Sequence, residues 1–165
     1  MKDLLDKMSS YNLFNYLFPG IVFCVVSETV SGYDLVQPNI VIGIFLYYFV
    51  GLVVSRFGSI IIEKILTGLK IVIFAPYSKF IAASKIDPKI EILSESNNMF
   101  RTLIAMLICL GLLKLYSFLE NATPIFIDFR FPVLGIILLI ILVISYKKQT
   151  GYITKRIDAA IKTEE

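Results

Sequence analysis

Long runs of apolar residues dominate the chain and alternate with shorter polar stretches. Four of these runs lie at residues 13–31, 40–56, 102–119 and 131–146. Each is close to the roughly 20 residues that a helix needs to cross the ~30 Å hydrocarbon core of a bilayer. The pattern therefore predicts four transmembrane helices.

The stretch at residues 57–100 is more polar and too long for a simple hairpin loop. Apolar residues keep helical spacing after Arg56 but admit charges, which predicts an amphipathic extension of the second span beyond the membrane. We interpret residues 71–83 as an interfacial or partner-facing segment, because they are too few and too polar to span. Lys89–Leu93 alternates like a short strand, and Ser94–Asn98 is typical of a polar linker that caps a helix.

The remaining connections have their own signatures. Residues 32–39 are turn-rich and predict a hairpin loop, with Pro38 suited to the start of the next helix. Ile125–Phe131 mixes aromatic and polar residues, which favours a loop at the outer membrane interface. Apolar residues in Tyr152–Lys162 share one helical face, which predicts a short amphipathic helix in the tail.

The composition supports a membrane location. Of 165 residues 57% are hydrophobic, and the mean hydropathy is +0.79, whereas soluble domains are about 45–50% apolar. A globule of this size has too little interior to bury so many apolar side chains. The sequence predicts an all-α integral membrane protein that forms a single membrane domain over residues 1–165. Because no small-residue cleavage site follows the first apolar run, we expect this span to be retained as an anchor.

The distribution of positive charge predicts the orientation. Of the 16 Lys and Arg residues, 14 fall in the N-terminal segment, in the loop at residues 57–100 and its flanks, or in the tail at residues 147–165. The two exceptions are Lys114 and Arg130. Since basic residues in short flanking loops are retained in the cytoplasm, we expect both termini and the large loop to be cytoplasmic, with four transmembrane helices in an N-in/C-in arrangement and amphipathic cytoplasmic extensions.

The commonest catalytic base and the recognisable catalytic motifs are missing from the sequence. The chain has no histidine, and its two cysteines, Cys24 and Cys109, lie inside apolar runs where a thiol acts as a small hydrophobe. It has no phosphate-binding glycine loop, nucleophile elbow or metal-ligand spacing. We therefore predict no catalytic residues, cofactor or metal, and no enzymatic activity.

Four polar residues within the predicted spans are candidate functional residues, because such groups are costly in a membrane. They are Asn12, Asn15, Glu28 and Lys114. Glu28 and Lys114 are expected at similar depths near the outer surface, where they either pair or separately reach the headgroups. Asn12 and Asn15 share a helix face and suit hydrogen bonds between helices or between subunits.

Glycine and proline positions predict special helix packing. Pro19 and Gly20 follow one another in the first span, and Gly43 and Gly51 lie in the second. We expect these residues to kink a helix or to let two backbones approach closely.

The basic loop and tail leave two interpretations open: contact with anionic lipid, or a docking surface for a cytosolic protein. A docking surface is favoured by the aromatic residues interleaved with lysines in the loop. We expect no direct contact with nucleic acid. The predicted partner-facing or lipid-facing residues are Lys64, Lys70, Lys79, Phe80, Lys85, Lys89, Lys155 and Arg156.

The opening segment Tyr11–Gly20, with sequence YNLFNYLFPG, follows a short charged N-terminal stretch. With the four-span layout and the basic loop, it resembles the membrane subunit of the Kiwa anti-phage defence system. The resemblance implies a homo-oligomeric, non-enzymatic protein of the bacterial inner membrane that senses phage attack and works with a cytosolic partner. The alternative function is a small oligomeric pore or transporter, lined by the four intramembrane polar residues.

Overall fold

The structure is a computed structural model that describes residues 12–123 and 125–161. Within these ranges the chain forms five helices: α1 (Leu13–Ser31), α2 (Ile40–Gly68), α3 (Tyr77–Ile86), α4 (Lys89–Ala122) and α5 (Ile125–Ile161). All but α3 are long and apolar enough to cross a membrane. This confirms the prediction that the fold is all-helical and contains four helices long and apolar enough to cross a membrane.

The predicted strand at Lys89–Leu93 and the polar linker at Ser94–Asn98 are wrong, because both segments belong to α4. The backbone amide of Lys89 donates to the Asp87 carboxylate at 3.0 Å, which supports the start of the helix. Lys, Glu and Leu in this segment are good helix formers. Alternation over five residues is too short to separate a strand from a helix.

The predicted loop at Ile125–Phe131 is also wrong, because these residues form the first turns of α5 and Pro132 lies inside that helix. The Tyr116 hydroxyl of α4 donates to the Phe126 carbonyl at 2.7 Å and anchors these turns. The tail helix predicted at Tyr152–Lys162 is the end of α5 and has no separate start. Lys162, the last residue of the predicted tail helix, lies outside the described residues.

Helices α1 and α2 cross in direct backbone contact at two glycines. A Cβ atom on Gly20 would lie 1.8 Å from the Tyr47 carbonyl oxygen, and one on Gly51 would lie 1.7 Å from the Tyr16 carbonyl oxygen. Only glycine fits at either position. The predicted close approach is confirmed for this pair, whereas the atoms nearest to a Cβ on Gly43 belong to the side chain of Tyr47 in its own helix.

Two of the helices in the described part of the chain contain a wide π-helical turn, in which backbone amides donate to carbonyls five residues back. One covers Leu13–Leu17 in α1 and the other covers Gly58–Ile62 in α2. Pro19 follows the first turn and explains it, because proline has no amide hydrogen and its ring crowds the carbonyl four residues earlier. A widened turn relieves that clash without ending the helix.

Three helices make the core and the fourth span lies at their side. The buried apolar cluster consists of Val54 and Ile62 from α2 with Ala105 and Met106 from α4, and residues of α1 pack against it. By contrast, Ile141 and Ser145 are the buried residues of α5 in the part of the chain that the structure describes. Most apolar side chains of α5 are exposed, as expected for a helix that faces lipid.

Side-chain contacts define the two ends of the bundle. Asn15 of α1 meets Ser55 of α2 at one end, and the Ser117 hydroxyl of α4 donates to the Ser31 carbonyl of α1 at the other. The first end also holds Gly68, where α2 stops, together with the beginning of α4 and the end of α5. We call it the basic end.

Helix α3 belongs to the basic end and packs against α4 and α5. The Tyr77 ring lies 5.8 Å from the Tyr152 ring of α5, and Ile81 is buried. The amides of Ile71 and Val72 donate to the Leu66 carbonyl at 3.0 and 3.3 Å. These bonds turn the chain back towards α2 before α3 begins.

Candidate functional site

Helix α2 carries three polar residues at a spacing of four, Ser55, Ser59 and Glu63. Residues four apart lie on one face of a helix. Both serines are buried, and the Glu63 side chain is 20% exposed. Side chains from the three other spans contact this face. These three residues and their partners form a group that we call the polar seam. The partners are Asn15 of α1, Arg101 and Thr102 of α4, and Lys148 of α5.

The part of the polar seam around Ser55 joins α1, α2 and α4 by hydrogen bonds. The Asn15 amide donates to the Ser55 hydroxyl at 3.3 Å, and the Thr102 hydroxyl lies 2.8 Å from the Asn15 side-chain oxygen. The same hydroxyl lies 3.1 Å from the Ser55 hydroxyl and 2.9 Å from the Asn98 carbonyl, so its single proton has several acceptors. Asn15 and Thr102 are fully buried, and these contacts satisfy polar atoms that would be costly if left unpaired.

The part of the polar seam around Glu63 is a network of ion pairs, which we call the ion network. The Glu63 carboxylate binds Arg101 of α4 through one oxygen and Lys148 of α5 through the other, the latter at 2.9 Å. The Arg101 and Lys148 side chains are 17% and 26% exposed. One carboxylate therefore faces two cations, and the network carries one positive charge in excess.

The second wide turn provides the remaining acceptors for Lys148. The Glu63 amide donates to the Gly58 carbonyl, whereas in a regular α-helix it would donate to the Ser59 carbonyl. The Lys148 ammonium instead donates to the Ser59 carbonyl and hydroxyl, each at 2.7 Å. With Glu63, all three protons of the ammonium have an acceptor. This is the principal polar attachment of α5 to the bundle among the described residues.

Replacing Thr102 by valine should destabilise the bundle by about 1–2 kcal/mol, because it keeps the shape but leaves buried polar atoms of Asn15 and Ser55 with fewer partners. Thermal unfolding of the purified protein in detergent measures the effect. Thr102→Ser keeps the hydroxyl and should restore most of the lost stability. Equal losses in both variants would show that the methyl group, and not the hydrogen bonds, matters here.

A second set of polar contacts closes the opposite end. The Tyr33 hydroxyl, in the connection between α1 and α2, donates to the Glu120 carboxylate near the end of α4. Gly32 ends α1 with a φ of 82°, and its amide donates to the Glu28 carbonyl at 2.8 Å. This left-handed conformation suits glycine. Burial and the bond to the Glu120 carboxylate raise the pKa of Tyr33 to about 12.

The Tyr33 contact predicts a pH dependence of stability. Because its pKa rises from 10.0 to about 12 on folding, the neutral phenol stabilises the fold fully below pH 10 and less as the pH rises towards 12. Tyr33→Phe should therefore lower the melting temperature at about pH 8, and the difference from the wild type should shrink at about pH 11. A difference that grows with pH would contradict the contact.

The four residues predicted for the membrane interior do not come together in one chain. Asn15 is closed off inside the polar seam, and Asn12 lies half-buried just before α1. Glu28 and Lys114 are both exposed, and within residues 12–123 and 125–161 they form no ion pair with each other. In this packing Asn15 faces the interior of a single bundle, so a pore formed between several copies would be lined by the other three residues and not by Asn15.

The residues predicted to face a partner or lipid lie at the basic end, and their charged members are exposed. Phe80 is half-buried, with its ring 6.4 Å from that of Tyr77. The exposed members are Lys64, Lys70, Lys79, Lys85, Lys89, Lys155 and Arg156.

Sequence reasoning found only Asn15 among the residues of the polar seam. The serine, serine, glutamate spacing on α2 was the available signal, because small polar residues repeated every four positions mark one helix face. In the sequence, Arg101 and Lys148 indicate only the orientation of the chain in the membrane. Nothing local in the sequence links them to Glu63.

Within the described residues, no group of three or more His, Cys, Asp or Glu side chains is placed to hold a metal ion. Comparisons of the chain with models of protein families, with curated proteins and with solved structures gave no match.

Proposed function

We propose that this chain is a non-enzymatic membrane sensor or scaffold subunit that passes a signal from its spans to a cytosolic protein. The supporting observation is the continuity of two helices. Helix α4 has 34 residues and α5 has 37, which correspond to about 51 and 55 Å at 1.5 Å per residue. Both exceed the ~30 Å hydrocarbon core, so each joins an apolar span to the basic end without a break.

The polar seam couples these two helices where they would leave the bilayer. A movement of α5 relative to α2 must break or carry along the bonds of Lys148 to Ser59 and Glu63. Arg101 ties α4 to the same carboxylate. In this proposal the ion network transmits displacements of the membrane spans to the exposed surface of the basic end.

The proposal places the basic end and both termini in the cytoplasm. Its support is the predicted retention of basic residues on that side. Reporter fusions to the two ends of the full chain test the arrangement. Both reporters should be active in the cytoplasm, and reporters active on opposite faces would overturn the proposed topology.

The cytosolic partner should present an acidic surface, because exposed cations cluster on α3 and the end of α5. A fourfold glutamine variant, with Lys79, Lys85, Lys155 and Arg156 replaced, keeps polar side chains at these positions and removes the charge. We expect it to lose most of a cytosolic protein that is enriched, in quantitative affinity purification from the native cells, by the wild type. Added salt should weaken the same association.

The matched control is Lys114→Gln with Arg130→Gln, which removes exposed cations away from the basic end. It should retain the partner at the wild-type level. Both variants must extract and elute as the wild type does. An identical set of enriched proteins for the wild type, the basic-end variant and the control would contradict the proposed docking.

We further propose a role in bacterial anti-phage defence and a homo-oligomeric state in the inner membrane. Support comes from the resemblance of Tyr11–Gly20 and of the four-span layout to the Kiwa membrane subunit; Tyr11 lies outside the described residues. Deletion of the gene should increase phage plating, and the basic-end variant should fail to restore protection. Full protection by that variant would separate defence from the proposed docking.

A further inference from the structure

A cleft of about 150 Å³ lies at the basic end between α2, the segment after it and the beginning of α4. Glu63 and Arg101 of the polar seam contribute to its wall. Most of the other lining side chains are apolar, namely Leu66, Val72, Phe74, Phe100 and Ile104. The cleft thus combines an apolar surface with one charged edge.

The charged edge of the cleft carries an excess of positive charge and could bind an anion. Glu63 is shared between Arg101 and Lys148, so one positive charge of the network has no counterion among the described residues. The Nε atom of Arg101 is buried and has no hydrogen-bond partner there. Arginine offers five donors in a fixed plane, which suits phosphate oxygens particularly well.

The apolar part of the cleft is continuous with the membrane-facing surface. Ile104 is 40% exposed and lies near the start of the apolar run of α4, and Phe100 lies one turn before it. Phe74 extends this exposed apolar surface from the segment after α2. An acyl chain can lie against these side chains while a headgroup reaches Arg101 at the expected level of the interface.

We propose that this cleft binds one anionic phospholipid, with its phosphate at Arg101 and an acyl chain along Phe100 and Ile104. The lipid supplies the missing counterion, and its headgroup stabilises the polar seam where α2, α4 and α5 meet. The proposal is independent of the cytosolic partner. It depends only on the cleft, the charge of the ion network and the membrane location.

Thermal unfolding of delipidated full-length protein tests the proposal. Phosphatidylglycerol should raise the melting temperature more than phosphatidylcholine with the same acyl chains. Ile104→Trp fills the cleft without touching the charges and should abolish the difference. Leu112→Trp is the matched control, because Leu112 is an exposed residue of α4 outside the cleft, and it should retain the difference.

Equal shifts with both lipids, or a full shift in Ile104→Trp, would overturn the proposal. A full shift with inorganic phosphate alone would overturn it as well, since a simple anion site would then suffice. If Ile104→Trp does not fold, native mass spectrometry of the wild type decides. From an equimolar mixture, it should retain phosphatidylglycerol over phosphatidylcholine by about fivefold to tenfold, and equal retention would contradict the site.

The fourfold glutamine variant of the basic end distinguishes lipid binding in the cleft from lipid binding by the exposed surface cations. Those four cations do not line the cleft. The variant should keep the preference for phosphatidylglycerol even if it loses the cytosolic partner. Loss of the preference in this variant would show that the lipid is held by the exposed cations and not by the cleft.

Discussion

Gly51→Ala should prevent α1 and α2 from packing as they do in the native protein. The added methyl carbon would lie 1.7 Å from the Tyr16 carbonyl oxygen and 3.1 Å from the Gly20 amide nitrogen. These atoms belong to the backbone and have no alternative rotamer, so the helices must move apart. We expect a loss of about 3 kcal/mol or more, at the upper end of what overpacking costs. The fraction of extracted protein that elutes as a single species should fall sharply.

Gly20→Ala should have a similar effect, since its methyl carbon would lie 1.8 Å from the Tyr47 carbonyl oxygen. Gly111→Ala and Gly135→Ala are the matched controls within the spans. An added Cβ meets nothing within 4 Å at either control position, and alanine is the better helix former. The controls should be neutral or slightly stabilising. Equal behaviour of all four variants would mean that α1 and α2 do not cross at these glycines.

Glu63→Gln should destabilise the protein strongly while changing its shape very little. The substitution leaves Arg101 and Lys148 partly buried beside each other with no carboxylate between them. Breaking a buried pair costs about 3–5 kcal/mol, and partial exposure of these side chains reduces our expectation to about 2–4 kcal/mol. Thermal or denaturant unfolding in detergent measures the loss.

Glu95→Gln is the matched control, because Glu95 is an exposed residue of α4 near the same end, and it should be close to neutral. Adding Lys148→Met to Glu63→Gln removes one of the two opposed cations, so the double variant should recover part of the lost stability. Losses that simply add would show that the network does not act as a unit.

The sequence was sufficient for the spans because their signal is averaged over many residues. A run of about 20 apolar side chains leaves few alternatives to a membrane helix, and α1, α2, α4 and α5 all follow from it. Short segments carry less information. Ile90 and Ile92 alternate with charged residues as in a strand, yet they belong to a 34-residue helix. The fourth apolar run predicts a helix from residue 131, but α5 already begins at Ile125 and passes through Pro132.

Most of the polar seam could not be predicted from the sequence, because its residues are far apart along the chain and meet only in the folded bundle. Ser55, Ser59 and Thr102 are single small polar residues in apolar surroundings, and serine or threonine in a span often bonds only to its own helix. Their role depends on which helix faces they occupy. Arg101 and Lys148 both lie beside cytoplasmic stretches, where retention of positive charge already accounts for them. Only the packing of α2 against α4 and α5 reveals the shared carboxylate.

The wide turn at Gly58–Ile62 also sets the rotational phase between the membrane part of α2 and its outer part. A π-helical turn accommodates one more residue than a regular turn, and each residue of an α-helix adds about 100° of rotation. Deleting one residue there would remove the bulge and leave the outer part of α2 close to its present orientation, whereas conversion of the same five residues to α-helical geometry would rotate Glu63 by roughly that angle. Such a rotation would carry the Glu63 carboxylate away from Lys148 and so break the ion pair between α2 and α5.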